Sequence, residues 1–316
     1  MSLSETLACA RIAGPSVVAV GTFDGVHLGH QRLVRELAAD ARRLGGQAVV
    51  LTFHPRPIEV LRPGTPSFYL CSLERRKSLL RASGADAVVV IEFTRELSQM
   101  SAEDFVTALV QHVGLRELVG GPDLALGHKR QGTPDVLGAI GKRLGFDVRI
   151  VGGLEIGDEV VRTTTIQRLV SEGDLDRASQ LLGRRHSVEG TVVPGAGRGR
   201  TIGIPTANVA VPERIVLPAN GVYAVFFHVG GQRYGGAANL GVRPTFAGEG
   251  RSLEVHLLDF AGDLYGQPTE VEFVARLRPE QRFPSVEALL AQITEDIRRS
   301  REILGEHSEY SIQNPD

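Results

Sequence analysis

Gly21-Thr22-Phe23-Asp24-Gly25-Val26-His27-Leu28-Gly29-His30 lies between the apolar run Val17-Val18-Ala19-Val20 and the segment 31–44. In that segment Leu33, Val34, Leu37, Ala38, Ala41 and Leu44 share one helical face. A second apolar run, Ala48-Val49-Val50-Leu51-Thr52-Phe53, completes a β-α-β unit. Two histidines three apart, with a glycine between them, thus sit in a glycine-rich turn at a helix N-terminus. Such a place presents unpaired backbone N–H groups and the positive end of the helix dipole, which favour an anion such as phosphate. The glycines permit close backbone approach, and imidazoles donate hydrogen bonds to phosphoryl oxygens. A single histidine in such a turn is usually structural. The pair, placed between strand and helix, points to nucleotide chemistry.

The alternation continues outward. His54-Pro55-Arg56-Pro57 is too proline-rich to extend the strand. Ser72 precedes a helix over 73–83 that Gly84 stops, and 87–91 reads as a buried strand. Ser101, with Asp104 at the capping-box position, opens a helix over 102–113. Strands at 117–120 and 147–151 flank a helix over 134–144. This order predicts a parallel sheet covered on both faces, with ligands beyond the strand C-termini. A helical stretch over 163–182, with Asp174 as an internal N-cap, ends at Gly183, where the domain boundary is placed.

Beyond Gly183, strand-like segments at 188–193, 207–211, 222–229, 253–258 and 270–277 are separated by glycine- and proline-bearing turns. They predict a small antiparallel barrel. An amphipathic helix over 286–304, capped by Ser285, turns Leu289, Leu290, Ile293 and Ile297 inward. Gly195-Ala196-Gly197-Arg198-Gly199 is a weak phosphate signal by itself, since no helix follows it and no Walker A sequence occurs. Pro205-Thr206-Ala207-Asn208 is tighter: it offers a hydroxyl and an amide oxygen of the kind that bind Mg²⁺ and nucleotide phosphates.

Composition narrows the class. The 316 residues suggest two domains, and 42% hydrophobic with 23% charged residues is an ordinary globular balance. A net charge of −2 and a pI near 6.5 argue against a nucleic-acid or membrane-surface partner. Cys9 and Cys71 form no metal or disulfide spacing. With no charged leader before an apolar core and no membrane-length apolar run, a cytoplasmic protein is expected.

Two ordered motif series carry a resemblance. The first is Gly21 to His30, then Phe53 to Pro57, then Gly121-Pro122-Asp123 through Gly127 and Arg130 to Gly132. The second is Gly199 to Asn208, Pro218 to Tyr223, Asn239 to Phe246, and Glu254 to Phe260 followed by Asp263-Leu264-Tyr265-Gly266. Over nearly its whole length the chain resembles the bacterial bifunctional riboflavin kinase/FAD synthetase family. That resemblance implies an α/β fold with a Rossmann-like nucleotidyltransferase domain at 1–183. A small antiparallel β-barrel domain with a C-terminal helix follows at 184–316.

It implies that the first domain joins FMN to ATP's α-phosphorus with loss of pyrophosphate, giving FAD. The nucleophile is already an anion, so positioning and charge stabilisation by His27 and His30 replace a strong base. In the second domain the riboflavin 5′-hydroxyl attacks ATP's γ-phosphorus, and Glu254 occupies the family's base position. By pattern alone Glu254 is an outward polar residue of an alternating strand. Nucleotide contacts are implied at Gly21, Phe23, Asp24, Gly29, Asp123, Arg130, Thr164, Gly203, Thr206 and Asn208, with Mg²⁺ at Thr206 and Asn208. Flavin contacts are implied at His54, Pro55, Arg56, Asn239 and Arg243. A turn cap at Asp123, a structural role at His54, and turn chemistry at Asn239 and Arg243 are the alternatives.

The chain departs from the family at three places. Gln167 stands where the family carries an arginine, a change worth about 1.5–3 kcal/mol if a charge-assisted phosphate contact is lost. Leu124 and Leu126 stand where aromatics are usual. The competing functions are a riboflavin kinase with an idle first domain, a flavin- or nucleotide-binding regulator, and a His-x-Gly-His nucleotidyltransferase of other specificity.

Overall fold

A computed structural model of the chain describes residues 1–195, 197, 199, 202–245 and 248–306, with side chains described outside 243–250. The chain forms two compact units, Met1–Thr163 and Thr164–Asp316.

In the first unit β1 (Ser16–Gly21), β2 (Gln47–Phe53), β3 (Ala87–Ile91), β4 (Leu115–Gly120) and β5 (Asp147–Ile150) form one parallel sheet in the order β3-β2-β1-β4-β5. Successive side chains of a strand face opposite ways, and the core divides accordingly. Val18, Val20, Val49 and Leu51 pack with α1 (Leu3–Cys9), α5 (Ala102–Val113) and α6 (Pro134–Leu144). Val17, Ala19, Ala48 and Val50 pack with α2 (Leu28–Arg43) and with Leu80 of α4 (Leu73–Ala82). Because the order reverses between β1 and β4, the loops after these two strands diverge and leave a crevice at their C-terminal ends. The Gly21–His30 turn and the Gly121–Gly132 loop are those two loops.

Caps fix the helices where the pattern predicts. The Ser72 hydroxyl accepts from the Arg75 amide at 3.0 Å and the Ser101 hydroxyl from the Asp104 amide at 3.0 Å. Helix α1 is a feature the apolar pattern does not predict. Its capping box, with Ser2 and Glu5 bonded reciprocally at 3.2 and 2.7 Å, is the local signal that marks it. A short helix α3 (Pro57–Leu61) follows the His54–Pro57 loop.

The expected boundary at Gly183 differs from the division between compact units. The helical stretch is two helices, α7 (Thr163–Glu172) and α8 (Leu175–Leu182), broken at Gly173 and Asp174. Leu175 joins the hydrophobic core of the second unit. A Cβ on Gly173 would lie 3.4 Å from both Ala219 and Arg276, so the break itself rests on that unit.

The second unit is a closed barrel of six strands. These are β8 (Ser187–Val193), β9 (Ala207–Ala210), β10 (Gly221–Val229), β11 (Gln232–Thr245), β12 (Gly248–Leu257) and β13 (Pro268–Arg278), in the order β10-β11-β12-β9-β8-β13. The small β6 (Glu155–Ile156) and β7 (Glu159–Val160) pair in the first unit. Tyr223, Val225, Phe227, Val255 and Phe273 fill the barrel. A second layer of Ala224, Phe226 and Val274 lies outside it and packs with Leu304 of the last helix, α9 (Val286–Glu306). Strand β11 lacks a continuous apolar run because Gly235 and Gly236 interrupt it. A Cβ on Gly236 would come within 2.9 Å of Val255, so close strand packing demands the residue that hides the strand from the pattern.

His186 is buried at the barrel wall, its Nε2 3.0 Å from the Val216 carbonyl, which can only accept, so Nε2 carries the proton. Burial pushes its pKa down to about 4, helped by Arg184 and opposed by the Val216 bond. The native ring is therefore neutral where an unfolded chain, at 6.5, takes up a proton. This contribution is whole above that value and fades as pH falls toward 4, costing about 3 kcal/mol in all. Hydrogen exchange of the β10 amides is expected to show stability falling through this window in wild type and falling less steeply in His186→Gln.

Candidate active sites

The turn between β1 and α2 is built from strained backbone. Phe23 (φ 46°), Gly25 (φ 72°) and Val26 (φ 40°) all lie in the left-handed region. A Cβ on Gly25 would come within 2.6 Å of Leu70, so glycine is required there. Asp24 holds this geometry. Its carboxylate is fully buried, pairs with the Arg56 guanidinium, and accepts the Leu70 amide at 2.9 and 3.0 Å. Burial raises its pKa, and the Arg56 charge and the Leu70 bond oppose the rise.

Arg56 in turn lies over the Tyr69 ring at 4.4 Å and donates to the Phe68 carbonyl at 2.8 Å. Tyr69 donates to Glu59, and burial pushes its hydroxyl up to about 12. Asp24 and Arg56, expected as nucleotide and flavin contacts, are thus engaged with each other and with the loop that carries them. Pro55 follows His54 through a cis peptide bond.

His27 is the N-cap of α2. Its Nδ1 accepts the His30 amide at 3.3 Å, which leaves the proton of a neutral ring on Nε2. The two imidazoles stack, centroids 3.6 Å apart and planes 16° from parallel. Phe23 meets His30 edge-on at 5.2 Å. Burial first, then the charges of His27 and Arg76, hold His30 well below the ordinary imidazole value. His54, half-buried, is also lowered, first by burial and then by Arg76. Two stacked imidazoles therefore stand at the positive end of a helix, in the crevice where the sheet order reverses. A Cβ on Gly29 would press on the His27 ring at 3.3 Å. Gly21 ends β1 below them.

Across the crevice, Arg130 donates to the Asp123 carbonyl at 2.7 Å and closes the 121–132 loop. The Asp123 side chain is exposed. Leu124 and Leu126 are buried in the sheet's hydrophobic core, so the departures from aromatics are met by packing. Thr164 is an exposed residue of the second unit's first helix.

In the barrel, strand register brings the expected residues into one row. Asn208 of β9 pairs with Glu254 of β12, Glu254 with Asn239 of β11, Asn239 with Val222 of β10, and Val222 with Arg278 of β13. This row faces out of the barrel, as the alternating pattern implies, yet α9 roofs it. Between them lies a cavity of about 350 Å³. Glu254, Asn239 and Thr206 line one side; Phe283, Leu289 and Ile293 line the other. The Thr206 hydroxyl donates to the Glu254 carboxylate at 3.5 Å. His256 contacts the Pro205 carbonyl at 2.8 Å through Nδ1. Gly203 has φ 77°, and a Cβ on Gly195 would collide with the Asn208 amide at 2.1 Å. The glycine-rich loop thus closes directly on Thr206 and Asn208. The Arg243 side chain lies outside the described residues, as do Ala196, Arg198, Arg200 and Thr201.

Asp296 also reaches this cavity, and the motifs do not mark it. It is buried on α9, takes bonds from Arg278 on both carboxylate oxygens (Nε to Oδ1 at 3.0 Å, Nη2 to Oδ2 at 2.7 Å), and accepts from Gln292 at 3.0 Å. Its signal is a carboxylate on the inward stripe 289, 293, 296, 300, 304, where apolar residues are expected.

A histidine pair at a helix N-terminus on a parallel α/β sheet, joined in one chain to a carboxylate-bearing cavity on a closed barrel, fits a nucleotide-dependent transferase with two centres. The model of a family described as FAD synthetase matches residues 9–165, and that of a riboflavin kinase family matches 182–304. Among curated relatives, a bifunctional riboflavin kinase/FMN adenylyltransferase of Pseudomonas fluorescens is 40% identical over 90% of this chain and 92% of its own length. Proteins so described from Listeria monocytogenes (38%, 90% and 91%) and Escherichia coli K12 (37%, 92% and 93%) are similarly close. The chain belongs to the bifunctional riboflavin kinase/FMN adenylyltransferase family. It is an ATP-dependent enzyme that makes FMN from riboflavin and FAD from FMN, with both domains present.

A solved structure from Streptococcus pneumoniae, described as a macrolide-efflux protein, superposes with a TM-score of 0.84 at 31% identity. It covers 92% of this chain and 96% of its own. Among the described residues here, no helix is long and apolar enough to cross a membrane.

Asp24→Asn leaves Arg56 buried without its counter-charge. Urea unfolding of the first unit, followed by amide exchange in β1 and β2, is expected to show a loss of about 3 kcal/mol. Riboflavin phosphorylation should be unchanged.

Proposed function

We propose that adenylyl transfer to FMN takes place at His27 and His30, and that riboflavin is phosphorylated in the cavity between the barrel and α9. Glu254 carries the second assignment: a carboxylate bonded to Thr206, set between two asparagines, with an apolar wall opposite. A flat flavin ring fits the apolar wall formed by Phe283, Leu289 and Ile293, and its ribityl hydroxyls fit the polar one. Glu254 then takes the proton of the 5′-hydroxyl as that oxygen attacks the γ-phosphorus of ATP. Asn239 is a contact to the flavin in this reading, as is Arg243.

Mg²⁺ suits the donor set at Thr206 and Asn208. Neutral oxygens beside one carboxylate, against a loop in which Gly195 and Gly199 leave no room for a Cβ, match an ion held mainly by substrate phosphates. Among the described residues, no cluster of three histidine, cysteine or acidic side chains forms an all-protein metal cage. When bound, the ion neutralises charge on the phosphates.

At the first site, the imidazoles donate to phosphoryl oxygens while the α2 N-terminus adds its partial positive charge. Gly21, Phe23 and Gly29 shape the turn against the nucleotide; Asp24 acts by holding Arg56 and the turn. His54 and Pro55 face the flavin end, and Asp123 with Arg130 forms the opposite lip. Thr164 belongs with the nucleotide contacts of this activity, so the functional boundary is set at 183/184, beyond the division of compact units. We assign the enzyme to the cytoplasm, on its ordinary composition and the absence of a disulfide framework.

His30→Ala is expected to slow FAD formation from supplied FMN by about a hundredfold or more while sparing the kinase. A parallel loss of both activities contradicts the division of labour. Glu254→Gln is expected to slow FMN formation by about 10²–10⁴-fold with ATP affinity retained. Unaltered kinase turnover removes Glu254 as the base.

A further inference from the structure

Arg76, on α4, is completely buried, and neither centre described above uses it. One amino group, Nη1, donates to the Thr52 hydroxyl at 3.3 Å and the Phe53 carbonyl at 3.2 Å. Thr52 passes the connection on, donating to the Thr22 carbonyl of the glycine-rich turn at 3.1 Å. The guanidinium lies 5.3 Å from the centre of the Tyr69 ring. Its remaining donors, Nε and Nη2, are buried with no hydrogen-bond partner among the described residues. The neighbouring carboxylate, Asp24, is taken by Arg56.

This arrangement is expensive for a folded protein. A guanidinium stays charged at any accessible pH, and burying it with no carboxylate bonded to it is strongly unfavourable. Unsatisfied buried polar atoms are rare in native structures and concentrate where a ligand completes them. Here they occur together: His30 Nδ1 and His54 Nδ1 are also buried without partners. The Arg76 charge acts on both imidazoles and on Asp24, so the guanidinium lies within electrostatic reach of all three. A cation and two imidazoles with open hydrogen-bonding capacity call for an anion rich in acceptor oxygens.

We propose that Arg76 is the internal cation of the adenylyl-transfer centre, completed only when a substrate phosphate reaches the His30–His54 side of the turn. The proposal rests on the placement of that reaction at the histidines. The phosphate is the monoester of FMN or the triphosphate of ATP, the shared chemistry being a phosphoryl anion.

The test uses the full chain with Arg76→Met and Arg76→Lys. KM and kcat for FAD formation are measured with FMN and with ATP varied separately; melting of the unliganded chain and riboflavin phosphorylation are measured alongside. Arg76→Met is expected to raise the KM of one of the two substrates by about tenfold or more, and which one identifies the phosphate. Kinase turnover stays unchanged, and the unliganded melting temperature does not fall, because a buried charge with two unbonded donors has been removed. Arg76→Lys keeps the charge and is expected to hold that KM within about threefold of wild type.

Both KM values staying within about twofold in Arg76→Met overturns the proposal. So does a KM rise in Arg76→Lys as large as the one expected for Met. Should Arg76→Met unfold the first unit, the lysine variant decides alone. FAD formation that survives His30→Ala refutes the underlying placement instead, whatever Arg76 does.

Discussion

The Asp24 carboxylate holds the first site together. Buried and paired with Arg56, it fastens three separate segments at one point: the turn after β1, the loop at 54–57 and the backbone at Leu70. That anchorage sustains the left-handed conformations of Phe23, Gly25 and Val26, and they in turn aim His27 and His30 along the start of α2. A buried ion pair adds little net stability compared with apolar packing, but it specifies geometry strongly, since any other arrangement strands a charge. The placing of the two histidines is therefore a consequence of a polar core under the turn.

The second unit positions its Glu254 carboxylate by different means. Register sets Asn208, Glu254 and Asn239 side by side on three adjacent strands. Their side chains point away from the barrel core, where water would ordinarily surround them. Helix α9 changes that by roofing the row, held at its centre by the Arg278–Asp296 pair. One face of the resulting cavity is hydrogen-bonding and the other apolar, as a molecule with a flat ring and a polyol chain requires.

Much of this was legible in the sequence. Parallel strands and their helices announced themselves through apolar runs and caps, because burial on both faces leaves continuous β-branched stretches. Strand β11 did not, since Gly235 and Gly236 are there to admit Val255 and its neighbours. Asp174, an internal N-cap, marked the break after Gly173, but the packing of Leu175 on the barrel was hidden because a helix pattern says which face is buried and not against what. At the sites, motif residues were visible and their supports were not. Arg76 and Asp296 each occupy an inward position of an amphipathic helix, Arg76 between Leu73 and Leu80, Asp296 between Ile293 and Ser300. A charge on an apolar stripe is the signal that finds both.

That one chain carries two working centres is tested most directly by product analysis on the purified protein. Riboflavin and FMN are incubated separately with ATP and Mg²⁺, and the flavins are resolved by chromatography. The account predicts FAD from both substrates, with FMN as the intermediate from riboflavin, which also shows that Gln167 is tolerated. FMN from riboflavin, with no FAD from either substrate, would contradict it and leave a kinase joined to an idle first unit.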